Sequence, residues 1–236
     1  MDINTLCQNL SLSDEEDEFV CCDLGDKARL VGEQKVANSL IDKVLSTKKV
    51  NREGFIGAIN FMWRTKAPWT VETVGDNIFV FHFGAQEDRR RVIAGGPWKF
   101  QELLIVLEIP EGLGDHSNMK FDKVPFWIQI HNLPLMCLNS EAGLSLGSQI
   151  GVVEKVDPGA TGDCIGKYLR VRVKVDISKP LKRGLKVKVQ EGVVVIAGLR
   201  YERLPDLCYN CGILGHPILE CGVKMKGDGA CHKYSE

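Results

Sequence analysis

Cys208, Cys211, His216 and Cys221 stand at the spacing C-x2-C-x4-H-x4-C, within fourteen residues that also place Gly212 after the second cysteine and Gly215 before the histidine. Three thiolates and one imidazole so closely spaced suit a single tetrahedral zinc ion. Bonds of about 2.3 Å to sulfur and about 2.0–2.1 Å to nitrogen pull four ligands together, and glycine lets the chain turn tightly around the ion. With all four positions filled by protein, no metal-bound water has a place, so the expected cofactor is one structural Zn2+. Cys7, Cys21, Cys22, Cys137 and Cys164 share no such spacing.

A second concentration of chemistry lies between Lys167 and Lys188: nine basic residues and one acidic residue, in a chain whose net charge is only -1. From Tyr168 to Val175 the types alternate. In a strand, Tyr168, Arg170, Arg172 and Lys174 therefore share one face, while Leu169, Val171, Val173 and Val175 share the other. Lys182 and Arg183 follow, and Lys186 and Lys188 alternate with Leu185, Val187 and Val189 as a second stripe. A basic sheet face with an aromatic at its head suits a phosphate backbone and a stacked base.

Catalytic patterns are missing from the sequence. His131 and Cys137 are near neighbours without a nucleophile context, and there is neither a phosphate-binding glycine loop nor a motif of paired carboxylates. The expectation is a protein that is not an enzyme and takes no small-molecule substrate.

At 236 residues, 44% hydrophobic and 26% charged, the chain has material for one or two globular domains. No apolar run reaches the roughly 18–20 residues of a membrane span, and the first residues carry acidic clusters where a secretion signal has a basic end. An intracellular location with no membrane partner follows, and an odd count of nine cysteines agrees with a reducing compartment.

The elements that must position these groups are read from periodicity. Residues 1–27, with five consecutive acids at 14–18, read as a disordered tail. Residues 28–110 give a strand at Arg29 to Glu33, a helix at Asn51 to Trp63, a hairpin of Thr70 to Val74 with Ile78 to Phe83, a helix at Gln86 to Ala94 and a strand at Leu103 to Ile109. That order, βαββαβ, predicts an α+β, ferredoxin-like domain. Phe79, Phe81 and Phe83 are expected beneath the helices, leaving Ile78, Val80 and His82 on the open face. After a linker at 111–123, residues 124–204 begin the plan again and end in a hairpin instead of a helix. The zinc segment occupies 205–223, followed by a short tail at 224–236.

The segment Cys-Tyr-Asn-Cys-Gly-Ile-Leu-Gly-His-Pro-Ile-Leu-Glu-Cys resembles the CCHC-type zinc knuckle of retroviral nucleocapsid and retrotransposon proteins. The resemblance implies that Tyr209 stacks on an unpaired base and that Ile218 completes a shallow cleft. This knuckle departs from the pattern in having no Lys or Arg between Cys208 and Cys221. Three segments, Asp76 to Phe83 with Gly95-Gly96-Pro97-Trp98, Val124 to Leu135, and Arg200 to Cys221, are similar to a plant family associated with non-LTR (LINE-type) retrotransposons, over residues 28–222. That family implies a domain of unknown function, RNA-recognition-motif-like (RRM-like), followed by the knuckle, and the β-rich unit at 124–204 is read from its periodicity as a second RRM-like one. It further implies zinc-dependent nucleic-acid binding by a gag-like protein, with the nucleus favoured over the cytoplasm. The expected partner is single-stranded nucleic acid, RNA ahead of DNA. The alternative is a protein-interaction or assembly module that self-associates and in which the knuckle is structural only.

Overall fold

The computed structural model describes residues 22–112, 114, 118–159, 162, 164 and 166–223. The acidic run at 14–18 and the tail from 224 lie outside the described residues. Where a first strand is expected at Arg29 to Glu33, the chain instead forms helix α1 (Asp26–Ala37), which buries no residue. Gly25 at φ 72° turns the chain into it, and Arg29 reaches Asp26 at 2.7 Å and Glu33 at 4.0 Å on the exposed surface. The first strand begins afterwards.

The first unit runs β1 (Ser39–Val44), α2 (Arg52–Trp63), β2 (Trp69–Gly75), β3 (Ile78–Phe83), α3 (Gln86–Gly95), β4 (Trp98–Phe100) and β5 (Leu103–Glu108). Asn51 caps α2 by accepting the Gly54 N–H at 3.0 Å, and Arg64 at φ 46° closes it. Asn77, at φ 58°, makes the β2–β3 turn, and its side chain accepts the Val50 N–H and donates to the Lys48 carbonyl, tying the turn to the β1–α2 loop. The sheet is antiparallel with order β2-β3-β1-β5-β4. Phe79, Phe81 and Phe83 do face the helices: Phe55 lies 4.7 Å from Phe79 and Trp63 4.7 Å from Phe81, ring centre to ring centre. Asp42 shares that core face with Leu40 and Val44, fully buried, with neither carboxylate oxygen hydrogen-bonded.

The second unit runs β6 (Lys123–His131), α4 (Ser140–Ser148), β7 (Val152–Val156), β8 (Leu169–Asp176), β9 (Gly184–Gln190) and β10 (Val193–Tyr201). Its order, β7-β8-β6-β10-β9, repeats that of the first sheet strand for strand. The molecule is thus a mixed α+β protein with two antiparallel five-stranded sheets. The first unit has α3 between its third and fourth strands; the second has only residues 177–183 there. Its core is completed by Leu181 from that segment and by Leu214 from the zinc segment, each 5% exposed.

The outer face of the first sheet is covered along β5, while Ile78, Val80 and His82 on β3 stay half-exposed. Leu104 and Val106 alternate with Ile105, which faces the helix-covered core, and they pack into the core of the second unit with Phe126 and Ile128. Burying that apolar strip between the units is worth several kcal/mol, on the order of 25 cal/mol per Å² removed from water. Among the described residues no helix is long and apolar enough to cross a membrane.

Candidate metal centre and nucleic-acid interface

An antiparallel bridge between Leu207 and Leu214 closes the first turn of the metal loop, around Cys208 and Cys211, and the Cys208 N–H donates to the Ile213 carbonyl at 3.1 Å. Inside it, the Gly212 N–H donates to the Cys208 carbonyl at 2.7 Å. Gly212 and Gly215 take φ values of 77° and 94°, which side chains with a Cβ resist. The turn gathers all four expected ligands. One ligand atom each from Cys208, Cys211, His216 and Cys221 lies within 4.8 Å of all the others, and Cys211 Sγ stands 3.4 Å from His216 Nε2. Sulfurs on a zinc tetrahedron are about 3.8 Å apart, given bonds of about 2.3 Å. The cluster therefore fits one structural zinc ion.

The surroundings favour thiolate at Cys221. Asn210 Nδ2 donates to Cys221 Sγ at 3.2 Å and to the Val223 carbonyl at 2.7 Å. The Val223 N–H, then His216, hold the Cys221 thiol down at about 6, whereas burial pushes Cys211 up to about 11. A divalent cation entering the cage displaces the remaining thiol protons.

The metal loop is docked, not appended. The Leu181 N–H donates to the Gly212 carbonyl at 2.9 Å, the Asp206 N–H to the Glu102 carbonyl at 3.4 Å, and Thr47 Oγ1 to Glu220 Oε2 at 2.9 Å. Between the loop and the first unit lies a cleft of about 460 Å³ whose walls include Lys48, Lys49, Asp206, His216 and Glu220. Among the described residues, Lys48 and Lys49 are the cations lining this cleft beside the Lys- and Arg-free loop. Nothing in the sequence points to them, because folding alone brings them to a segment some 160 residues further along.

Tyr209 is 46% exposed beside the cage, Ile218 is half-buried, and Leu219, not anticipated from sequence, is 95% exposed. The basic stripe differs from expectation. Leu169, Val171, Val173 and Val175 are buried as the alternation requires, but the facing cations are engaged inside the protein. Arg170 lies 3.9 Å from the Trp127 ring centre and bonds Glu202 and Asp157, each at 2.8 Å. Arg172, 8% exposed, holds Glu154 at 3.0 Å and the carbonyls of Gly96 and Ile93 at 3.3 Å. Lys174 is 3.6 Å from Glu108 of the first unit. These three charges knit the fold, because the first unit brings its own carbonyls and a carboxylate to this face of the sheet.

Elsewhere on the predicted surface, Lys182 donates to the Gln149 carbonyl, and Arg183 accepts the Leu199 N–H through its backbone carbonyl. Lys186 and Lys188 stand exposed on β9, and Tyr168 touches His131 with 5.0 Å between ring centres. Burial thus separates the anticipated surface into an engaged part on β8 and an exposed part on β9.

Residues 32–109 match the family model described as a domain of unknown function (DUF4283), and residues 175–223 match a zinc knuckle. The chain carries a DUF4283 domain followed by a zinc knuckle. The knuckle match reaches back over β9 and β10, in keeping with the packing of Leu181 and Leu214 into one core. An uncharacterized protein of Arabidopsis thaliana, At4g02000, is 24% identical over 141 residues, 58% of this chain. The chain spans 43% of that relative's length. Among solved structures, that of the C. elegans NONO-1 homodimer aligns at 8% identity and a TM-score of 0.28, over 72% of this chain and 63% of that one. That likeness is too weak to equate elements.

Proposed function

We propose that the protein binds single-stranded nucleic acid, RNA in preference to DNA, and that zinc holds the knuckle in the form that does so. The observation that carries this reading is Tyr209: an aromatic ring nearly half exposed on a loop pinned by four metal ligands, its immediate neighbour Cys208 fully buried. A ring fixed in this way stacks on an unpaired base without first losing much conformational freedom, a contact worth roughly 1–3 kcal/mol per base. The exposed Leu219 and the lysines Lys48 and Lys49 across the cleft supply apolar and cationic surface beside it. RNA is favoured because unpaired, splayed bases are the usual form in which RNA is read.

The strand order of the first unit supports an RRM-like reading: β3 lies between β1 and β2, with α2 in the crossover, as in a split βαβ motif. It serves here as a platform for the second unit, because Leu104 and Val106 occupy its outer face. A gag-like role is part of the same proposal. The second reading, an assembly module with a purely structural knuckle, is favoured by the burial of Leu214 in the main core.

Fluorescence anisotropy with single-stranded RNA, single-stranded DNA and duplex, at two salt concentrations, tests the proposal. Tyr209→Ala is expected to weaken RNA binding by about tenfold, in line with one lost stack, and Cys211→Ser to abolish zinc retention together with most of the affinity. Wild-type protein that binds none of the three, or variants that bind as wild type does, would refute it.

A further inference from the structure

The outer face of the second sheet carries a row of residues that no part of the knuckle explains. Its register sets Gly198 on β10 opposite His131 on β6 and opposite Gly184 on β9, and Tyr168, just before β8, puts its ring against that of His131. Two aromatic rings thus lie beside two residues without side chains. A Cβ built at Gly198 would meet nothing within 4 Å, so the face is open at this point.

The charges around the row are segregated. Lys186 and Lys188 pair across the hairpin with Ile196 and Val194, which are 67% and 59% exposed, and Arg200 stands opposite Gln129. None of these three cations has an ion-pair partner among the described residues. The carboxylates at the far side of the row, Glu202 and Asp157, are already bound by Arg170. What is left is exposed cationic and apolar surface, with two half-buried aromatic rings, inclined at 47° to each other, at one end.

We propose that this face, from Tyr168 and His131 across Gly198 to Lys186 and Lys188, is a second base-stacking platform for the same single-stranded nucleic acid. One or two bases lie on the Tyr168 and His131 rings, their riboses rest over Gly198 and Ile196, and the phosphates run along Lys186, Lys188 and Arg200. The chemistry excludes duplex as the preferred ligand, because stacking on an open sheet needs bases that have left their partners. This inference rests on the nucleic-acid reading above, but it concerns a surface on β6, β8, β9 and β10 and not the knuckle.

The test uses the full, zinc-loaded chain and a uridine-rich RNA of about sixteen nucleotides, long enough for one nucleic-acid-binding fold. Tyr168→Leu combined with His131→Leu is expected to weaken binding about 10- to 100-fold at unchanged zinc content. Lys186→Gln with Lys188→Gln is expected to flatten the salt dependence by about one to two units of log–log slope. Ultraviolet crosslinking of the wild-type protein to 5-bromouridine RNA, read by peptide mass, avoids any question of whether a variant folds. Adducts on Tyr168 or His131 support the platform. Adducts confined to Tyr209, or a double variant that binds as wild type does while Tyr209→Ala fails, overturn the platform and leave the knuckle reading intact. Wild-type protein with no affinity for the RNA overturns both.

Discussion

Removing zinc is expected to destabilise the whole second unit, not merely to unravel fourteen residues. Chelation frees the loop between Cys208 and Cys221, and Leu214 leaves the core that it shares with Phe126, Ile128 and Leu181. Exposing one leucine that is 5% exposed in the fold costs about 1.5–3 kcal/mol. Losing the Leu181 N–H bond to the Gly212 carbonyl costs about 1 kcal/mol more. The exposed Thr47–Glu220 bond adds less. The sum, about 2.5–4 kcal/mol, corresponds to a fall in Tm of about 5–16 °C, since a chain of this size loses about 2–4 °C per kcal/mol. Scanning calorimetry of the full chain, before and after a zinc chelator and again with zinc restored, measures it. Cys137→Ser, at a thiol outside the cage, is the control and should leave the shift intact. A main transition that moves by less than about 2 °C on chelation would mean that the knuckle is an independent bead, and the packing argument built on Leu214 would fall with it.

Two further outcomes follow from groups inside the fold. Burial, first of all, drives the Asp42 carboxyl well above its usual range, which favours its protonated form in the folded protein. The unfolded chain ionises it above about pH 4, and each pH unit between that point and the folded pKa then costs about 1.4 kcal/mol of stability. Asp42→Asn is expected to be the more stable protein at pH 7 and to match wild type more closely near pH 4; urea midpoints across that range decide it, and parallel pH profiles would refute it. Arg172→Met should lower stability by about 2–3 kcal/mol, because it strands Glu154 and two carbonyls of the first unit. The same variant should keep the wild-type salt dependence of RNA binding, and a clearly flatter slope would restore Arg172 to the nucleic-acid surface.

The metal ligands were legible at once, because four ligands within fourteen residues converge through local turns alone and need little from the rest of the chain. Helices α2 and α3 and the β2–β3 hairpin were legible for a similar reason: Asn51, Asn77 and the alternating Phe79, Phe81 and Phe83 are local signals with local causes. β1 was not, because Asp42 interrupts its apolar alternation, and a buried carboxylic acid looks in sequence like a solvated one. The strand expected at Arg29 to Glu33 failed in the opposite sense: Leu30 and Val31 suggest a core face, yet both are more than half exposed on a helix.

For the nucleic-acid surface, alternation on β8 determined which side chains point away from the core, and no more than that. Whether an outward-pointing arginine meets solvent or another part of the chain depends on distant residues. Glu154, Glu202, Glu108 and the carbonyls of α3 and the turn after it claim Arg170, Arg172 and Lys174, whereas Lys186 and Lys188 on β9 stay exposed. The sequence by itself thus determined the ligands, the β2–β3 hairpin and the inward faces of β3 and β8, all set by contacts within a few residues. Only the tertiary structure decided that Leu104, Val106 and Leu214 fuse two units and a metal loop around one core, since burial between distant segments leaves no mark at any single position.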